Sequence, residues 1–277
     1  MTVEATSSAG AFVEFEVFAT DAEDGDLTAS VVCTPESGSL FPIDETTVVT
    51  CSVTDSGGLT AEGSFTIRVV DTTPPYFTSF PGDQTLIAAN IHGAVLDLES
   101  LGIDAEDWNN VSEPVTVACD YVAGSWLPIG STTTVSCTAT DARGNESDPG
   151  SFDVFVTLDL TGVGFLPPLR MAAPYSAHKA GSTIPHKFPA PRYADGTPAT
   201  DLADGLRLTL TRDTGNEQYE QSTGEEYAAG STVWRYDSSS GHYIFNLKSE
   251  KGWGTGAWTT AVSYAGIELA RTNLTFR

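Results

Sequence analysis

One stretch of the sequence occurs twice, with a cysteine at the same place in each copy. The first copy is Thr46–Gly58 and the second is Thr132–Asn145. In both copies, apolar or small residues alternate with threonine and serine, and aspartate followed by glycine or asparagine closes the stretch. This period of two, rich in β-branched residues, is typical of a strand with one buried face that runs into a turn. The chain therefore contains a tandem repeat built from strands.

The four cysteines form two pairs with the same spacing. Cys33 precedes Cys51 by 18 residues, and Cys119 precedes Cys137 by 18 residues. This spacing fits one disulfide inside each repeat and an oxidising, extracytoplasmic compartment. A zinc site or free thiols are the alternatives, although the sequence has no CxxC motif and no clustered histidines. Closing a loop of this length would stabilise each repeat by about 3 kcal/mol.

Short alternating segments separated by turn residues continue along the whole chain. In Phe12–Ala19, for example, we expect Val13, Phe15 and Val17 to face inward. Turn residues recur about every ten residues, and no helical periodicity of useful length is present. This pattern predicts an all-β fold made of antiparallel β-sandwiches.

Composition and proline content divide the chain into three domains and a linker. We predict domains at residues 1–72, 73–158 and 175–277, with a Gly/Pro linker at 159–174. The segment Asp71–Pro75 contains two adjacent prolines and predicts a stiff, extended joint. Gly162–Pro168 has the composition of a domain joint as well.

The negative charge is concentrated in the two repeats. Of the net charge of −24, residues 1–72 carry −12, residues 73–158 carry −11 and residues 159–277 carry −1. Such surfaces repel nucleic acid and anionic lipid, so we expect neither as a partner. No apolar run is long enough for a membrane span. We also find no signal peptide, and we expect that it was removed or that Met1 was added to a cut chain.

Residues 1–158 closely resemble the HYR (hyalin repeat) family. The matching residues are Cys33–Pro42, Thr46–Asp55 and Asp71–Pro75, while the second copy departs from the pattern at Asp120–Pro128. The resemblance implies an immunoglobulin-like fold, an extracellular structural or adhesive role, and no enzymatic activity. The expected fold is therefore a tandem of immunoglobulin-like antiparallel β-sandwiches in an elongated array.

Repeat one lacks the lead segment that opens repeat two. When Gly10 is aligned with Gly93, Met1 lies opposite Gln84, so Pro74–Asp83 has no counterpart. A cut from a longer array of repeats is the simple explanation. The alternative is strand addition by another copy or a neighbouring surface protein, because an open sheet edge is a template for a strand. On that alternative the chain is a filament subunit.

The third domain resembles the PxKF module of secreted bacterial proteins. The residues that match are Pro185–Phe188 and Tyr243–Lys248, and they imply a C-terminal β-sandwich of undefined role. Trp253 and Trp258, in a glycine-rich run, could stack on a sugar or pack in a core. Carbohydrate binding through this domain is therefore an alternative function.

Chemical motifs are scarce. The sequence has no HExxH, Gly-x-Ser-x-Gly, P-loop or GxGxxG motif, and we assign no catalytic residue and expect no enzyme. The four histidines are scattered, so we expect them in loops or at the surface. We expect no cofactor and no metal ligand. Calcium is the alternative, since carboxylates cluster in two loops and near the ends of the first repeat's strands. These acidic residues are Asp21, Glu23, Asp24, Asp26, Asp55 and Asp71 in repeat one and Asp104, Glu106 and Asp107 in repeat two.

We expect a non-catalytic extracellular module, a stalk or assembly component at a cell or particle surface. Its expected partners are further copies of the chain, neighbouring surface proteins or glycans.

Overall fold

The computed structural model describes residues 1–108, 111, 113–212, 218–221, 233–251, 253 and 255–277. These residues form strands and short 3₁₀ turns, and no α-helix occurs among them, which confirms the all-β prediction. None of their helical turns has the length or the apolar character to cross a membrane. The chain forms two compact units. The first is Met1–Pro81, Leu98–Asp120 and Ser136–Ser151, and the second is Gly82–Asp97, Tyr121–Val135 and Phe152–Arg277.

Nine strands lie within residues 1–79. They are β1 (Thr2–Glu4), β2 (Ala11–Val13), β3 (Thr20–Asp21), β4 (Gly25–Asp26), β5 (Val32–Thr34), β6 (Ser39–Phe41), β7 (Thr46–Thr54), β8 (Thr60–Val70) and β9 (Tyr76–Ser79). Four of them form a sheet in the order β1-β8-β7-β5, in which β1 runs parallel to β8 and the other neighbours are antiparallel. Two small pairs, β2-β6 and β3-β4, account for four more, and β9 pairs with a strand of the second repeat.

Seven strands follow in the second repeat. They are β10 (Gln84–Ile87), β11 (Ala94–Val95), β12 (Asp104–Glu106), β13 (Thr116–Cys119), β14 (Trp126–Leu127), β15 (Thr132–Thr140) and β16 (Gly150–Thr157). The sheet order β10-β16-β15-β13 repeats the order of the first sheet, again with a parallel first pair. The pair β11-β14 corresponds to β2-β6. The antiparallel pair β9-β12 has no counterpart in repeat one, where the matching residues form the β3-β4 hairpin.

The core of repeat one follows the alternation of its strands. Val49, Ile67 and Val69 are fully buried, and Phe41 packs with them. Both predicted cystine bridges are present, Cys33–Cys51 and Cys119–Cys137, and each joins directly opposed residues of neighbouring strands. Since these residues lie next to the core face, each bridge ties an edge strand to the central strand that carries the repeated motif.

One glycine per repeat allows two backbone segments to touch. Gly10 has φ +123°, and a Cβ built there would lie 1.9 Å from the carbonyl oxygen of Phe41. Gly93 has φ +115° and would place its Cβ 1.8 Å from the carbonyl oxygen of Leu127. Only glycine fits this close approach at a positive φ, which explains why the two copies share it.

Eight strands form the C-terminal part of the second unit. They are β17 (Ser176–His178), β18 (Thr183–Pro189), β19 (Leu206–Arg212), β20 (Gln218–Gln221), β21 (Arg235–Asp237), β22 (His242–Lys248), β23 (Gly256–Tyr264) and β24 (Ile267–Phe276). They form one sheet in the order β17-β24-β23-β19-β20 and another in the order β18-β22-β21. A hydrogen bond between His186 on β18 and Thr260 on β23, 3.1 Å between Nε2 and Oγ1, joins the two sheets.

Some sequence expectations need correction. The strand expected over Phe12–Ala19 ends at Val13, although Phe15 and Val17 stay half-buried between exposed glutamates. His186, expected in a loop or at the surface, lies on β18 and is completely buried.

Candidate functional site

Three buried carboxylates converge within the first compact unit. Asp71, Asp107 and Asp141 each offer one oxygen, and these oxygens all lie within 4.8 Å of one another. The three residues are only 8%, 2% and 6% exposed. Ca²⁺ binds carboxylate oxygens at about 2.3–2.6 Å, so oxygens at this mutual separation can all reach one ion. We call this group the junction carboxylates, because Asp71 ends repeat one and the other two belong to repeat two.

The strand ends of the two repeats position the junction carboxylates. Asp71 directly follows β8, Asp107 directly follows β12, and Asp141 directly follows β15. In each strand, exposed residues alternate with more buried ones, and this alternation ends at the aspartate. Three chain segments that are distant in sequence therefore deliver their carboxylates to one place.

Hydrogen bonds hold two of the junction carboxylates in fixed orientations. Asp141 Oδ1 accepts hydrogen bonds from the backbone N–H groups of Arg143 and Asn145, at 2.8 and 2.9 Å. The Asn145 amide donates to Asp141 Oδ2 at 2.8 Å and to the carbonyl oxygen of Asp71 at 3.3 Å. Asp71 Oδ1 accepts from Thr73 N–H at 3.1 Å. Hydrogen bonds of this kind, from groups that are not ligands themselves, fix the orientation of ligands around a metal ion.

Burying three like charges together is costly unless a positive charge compensates them. A divalent cation between the three oxygens would remove the repulsion and satisfy their lone pairs. The chemistry of the set, oxygen ligands only, suits a hard cation such as Ca²⁺ rather than zinc.

A salt bridge joins the two repeats beside the junction carboxylates. Arg143 Nη2 lies 3.0 Å from Asp44 Oδ2, and Nη1 donates to the carbonyl oxygen of Val111 at 3.0 Å. Val111 itself belongs to the buried cluster of repeat one. The loop between β6 and β7 of repeat one is thus linked to the turn after β15 of repeat two.

The loop of repeat two that corresponds to the Asp44 loop approaches the third domain instead of another repeat. Gly130, the counterpart of Asp44, has φ +75°, and a Cβ built there would lie 1.9 Å from the carbonyl oxygen of Ala265. Asp44 itself has φ +63°. In both repeats, this left-handed position touches the segment that follows in the chain.

Most of the acidic residues singled out from the sequence shape turns instead of meeting at one point. Asp21 Oδ1 accepts from the N–H groups of Glu23 and Asp24, both at 2.9 Å, and these hydrogen bonds lower the pKa of Asp21. Asp24 binds Ser56 through both of its carboxylate oxygens, and Asp55 Oδ1 accepts from Leu59 N–H. Of the predicted set, only Asp71 and Asp107 come together.

Asp141 was missed as a ligand, although the repeat contained the signal. Asp24 and Asp55 of repeat one match Asp107 and Asp141 of repeat two, so each copy carries the same pair. The third ligand comes from the end of the preceding repeat. A sequence comparison of the copies shows the pair but gives no distance between them.

The proposed sugar platform in the third domain is wrong. Trp258 is completely buried and Trp253 is only 8% exposed, with their rings stacked at 5.5 Å and both in contact with Phe276. A ring enclosed by other side chains has no face to offer to a sugar. Gly252 and Gly254, which flank Trp253, lie outside the described residues.

A tyrosine and a histidine are buried in the third domain. Tyr243 is fully buried, and its hydroxyl accepts a hydrogen bond from Leu202 N–H at 2.9 Å and donates to the carbonyl oxygen of Ala199 at 2.7 Å. Burial raises the pKa of Tyr243 above its ordinary range. His186 contacts Ile184 O and Thr260 Oγ1, both at 3.1 Å, and burial lowers its pKa to about 4. These groups serve packing and lie outside the junction.

Comparison with known proteins identifies both repeats. The model of the HYR domain matches residues 2–69 and again residues 70–156. Hyalin from Strongylocentrotus purpuratus is 34% identical over 140 residues, which cover 49% of this chain and 11% of hyalin. The chain therefore spans about a tenth of the length of this curated relative.

Among solved structures, the chain is similar to cadherin ectodomains. Domains 1–4 of protocadherin gamma B7 are 13% identical, with all of this chain and 74% of that chain covered and a TM-score of 0.29. Domains 1–4 of Drosophila N-cadherin are 10% identical, with 100% of this chain and 73% of that chain covered and a TM-score of 0.26. At TM-scores this low, neither similarity bears on function.

Proposed function

Because the chain belongs to the HYR domain family, we propose that it acts as a non-catalytic extracellular module with a structural or adhesive role. It would serve as a stalk or an assembly component at a cell or particle surface. The observation that carries this proposal is the pair of HYR matches over residues 2–69 and 70–156. The third domain, in this proposal, is a PxKF-like β-sandwich that the two repeats present.

Three features of the structure support this role. Each repeat is crosslinked by its own disulfide. A salt bridge links repeat one to repeat two, and Glu4 holds the joint by accepting hydrogen bonds from Thr72 and Thr73 at 2.8 Å. The two repeats carry nearly all of the net charge of −24, which keeps such surfaces soluble and separates neighbouring molecules.

Stretching single molecules tests the structural role. Each disulfide locks about 18 residues, so oxidised repeats should release roughly 6 nm less length on unfolding than reduced ones. We expect two separate unfolding events for the repeats, each shortened under oxidising conditions. If the repeats extend without measurable resistance in both redox states, a stalk role is excluded.

Bead attachment tests the adhesive role. Beads coated with the full chain are expected to cluster or to attach to the producing cell's surface, whereas beads coated with albumin do not. If coated beads neither cluster nor attach, and the repeats also extend without measurable resistance in the stretching experiment, the proposed function is wrong.

We further propose that the junction carboxylates bind Ca²⁺ and stiffen the joint between the repeats. The supporting observation is the convergence of Asp71, Asp107 and Asp141 oxygens within 4.8 Å while all three residues are buried. Binding there would favour the arrangement in which the end of repeat one meets repeat two, because the ligands come from both repeats.

Thermal unfolding with and without calcium tests this site. A ligand at 100 times its Kd stabilises the folded state by about 2.7 kcal/mol, so millimolar Ca²⁺ should raise Tm relative to EGTA. Asp141→Asn should remove the effect. The matched control is Asp55→Asn, its counterpart in repeat one, which should keep the effect. A Tm that is the same in Ca²⁺ and EGTA would exclude the site.

Carbohydrate recognition is not the function that we favour. Its best candidate residues, Trp253 and Trp258, lie in the core of the third domain. Assembly through strand addition to repeat one has more support, because repeat two displays the kind of segment that repeat one could accept.

A further inference from the structure

Each repeat carries a pair of directly opposed apolar residues that face solvent. In repeat one, Phe12 on β2 lies opposite Leu40 on β6, and in repeat two, Val95 on β11 lies opposite Trp126 on β14. These four residues are 72%, 45%, 40% and 45% exposed, in that order. Directly opposed residues of paired strands have adjacent side chains, so each pair forms one small apolar surface.

The two pairs occupy equivalent positions in the two repeats. Phe12 and Val95 each lie two positions after the glycines that align the copies, Gly10 and Gly93. The partner strands match as well, because β6 and β14 each end at the residue whose carbonyl oxygen touches that glycine. A single exposed apolar residue is ordinary on a protein surface, whereas an opposed pair that both repeats display indicates a contact surface.

An exposed acid borders each pair. Glu14 lies two positions after Phe12, and Asp97 lies two positions after Val95. Both acids are exposed, and the residue before each of them is buried. Side chains two positions apart in an extended segment point the same way, so each carboxylate lies beside its apolar pair. We call these two sets the apolar–acidic faces, which consist of Phe12, Leu40 and Glu14 in repeat one and of Val95, Trp126 and Asp97 in repeat two.

Charge identifies the kind of occupant that these faces suit. Residues 1–72 carry a net charge of −12 and residues 73–158 carry −11, so each face lies in acidic surroundings. A basic partner with apolar side chains complements both the charge and the apolar pair. A second copy of the chain, with its net charge of −24, would be repelled.

A peptide suits both faces better than a sugar does. The aromatic ring is on β2 in repeat one, as Phe12, but on β14 in repeat two, as Trp126. A sugar that stacks on a ring requires that ring at a fixed place, and the two faces do not share one. Burial of an apolar side chain is non-directional, so it requires only the apolar pair that both faces have.

We propose that each apolar–acidic face binds an extended polypeptide segment in which a basic residue lies next to an apolar one. The apolar side chain of the segment packs on the opposed pair, and its cation pairs with the acid beside that pair. The chain therefore offers two equivalent sites, one in each repeat. This inference rests on the proposed adhesive role and names the chemistry of the partner.

Peptide binding to the full chain tests the inference. The probe is a short fluorescent peptide in which lysine alternates with leucine, and fluorescence anisotropy reports its binding. We expect saturable binding at two sites per chain. Phe12→Ser should weaken one site and Trp126→Ser the other, each about tenfold, because losing one apolar contact lowers affinity by about that factor. Both residues are exposed, so an unchanged Tm should accompany each substitution.

Val48→Ser is the matched control, because Val48 is exposed on β7 and its outward-facing neighbours in that strand are Thr46 and Thr50. This variant should keep both sites. Two further peptides separate the contributions of charge and apolar contact. A peptide in which lysine alternates with serine, and one in which glutamate alternates with leucine, should each bind about tenfold more weakly than the probe.

Several results would overturn the inference. They are no saturation up to millimolar peptide, equal binding of the lysine–serine peptide, and unchanged binding in both Phe12→Ser and Trp126→Ser. Glycan binding that Trp126→Ser abolishes, without peptide binding, would assign the face to sugars instead. Self-association that Phe12→Ser abolishes would assign it to a second copy. If coated beads attach to cells while the peptide fails to bind, this inference is wrong and the proposed function stands.

Discussion

The guanidinium of Arg143 lies 3.0 Å from the carboxylate of Asp44, although 99 residues separate the two in the chain. The same arginine donates to the carbonyl oxygen of Val111 at 3.0 Å. The Arg143 side chain of repeat two thus contacts the loop of repeat one that holds Asp44. It is also hydrogen-bonded to the backbone of Val111, whose side chain packs in the core of repeat one. This arginine and the neighbouring Asn145, whose amide donates to the carbonyl oxygen of Asp71, therefore link repeat two to repeat one.

Removing the charge of Asp44 should weaken this coupling by a small amount. Asp44→Asn keeps a residue that tolerates a positive φ, so it changes the charge alone. Exposed ion pairs contribute about 0.2–1 kcal/mol, and we expect a coupling energy in that range from a double-mutant cycle with Arg143→Ala. Urea unfolding at low salt and at about 0.5 M salt, where the Debye length shortens to roughly 4 Å and exposed charges are screened, measures this energy.

Arg143→Ala alone should cost more than Asp44→Asn, because it also removes the donor to Val111 O. The control is Arg271→Ala, which breaks an exposed pair with Glu268 and should be nearly neutral. Equal losses for Arg143→Ala and Asp44→Asn would contradict the role given to the Val111 contact.

Alanine at the two matched glycines should have opposite effects. Gly150→Ala forces its Cβ against Phe80 and should destabilise the chain by about 1–3 kcal/mol. Gly63→Ala meets open space and should stabilise it by about 0.5–1 kcal/mol, because alanine loses less backbone entropy on folding. Chemical unfolding of both variants, measured side by side, provides the test. A cost of the same size at both positions would show that Phe80 does not decide the difference.

Acid should destabilise the third domain through His186. Burial lowers its pKa to about 4 in the folded chain, against about 6.5 when unfolded, so the unfolded state binds more protons between these values. Stability is therefore retained above pH 6.5 and lost as pH falls toward 4, by about 3 kcal/mol in total. Urea midpoints followed by tryptophan fluorescence at pH 7 and pH 4.5 measure this loss.

His186→Gln should flatten that pH dependence, since the replacement does not titrate. Burial also lowers the pKa of His178, so His178→Gln serves as the comparison and should flatten it less. A pH profile that is identical in the chain and in His186→Gln would contradict the assignment.

Tyr243→Phe should destabilise the third domain by about 1–3 kcal/mol. The change removes a buried hydroxyl that binds both Leu202 N–H and Ala199 O, and it leaves those two groups unsatisfied. Tyr175→Phe is the control, because Tyr175 is exposed and should be neutral. Thermal unfolding of the two variants measures the difference, and equal Tm values would refute the bonding role.

Much of the fold could be read from local patterns. Leu206, Leu208 and Leu210 alternate with polar residues, a pattern typical of a strand, and all three side chains are buried in β19. The duplicated cysteine strand predicted two similar sheets, which the structure has in the same strand order. Period two is a property of neighbouring residues, so it needs no knowledge of distant contacts.

The burial of side chains that follow no strict periodicity was harder to predict from the sequence. Trp253 and Trp258 are compatible with either a core or a surface when only their glycine-rich surroundings are known. His186 looks like any loop histidine until β23 is placed opposite β18. Such residues are decided by what packs on them, and that partner comes from elsewhere in the chain.

The sequence by itself determined the duplicated strand pattern, the cysteine pairs, the all-β class and the HYR resemblance, because each depends on residue types at short spacing. The tertiary structure alone decided that Asp71, Asp107 and Asp141 meet, and that Phe80 covers Gly150 while Gly63 stays bare. The physical reason is distance. Residues tens of positions apart become neighbours only after strands from both repeats have paired, and no local pattern encodes the separation of their side chains.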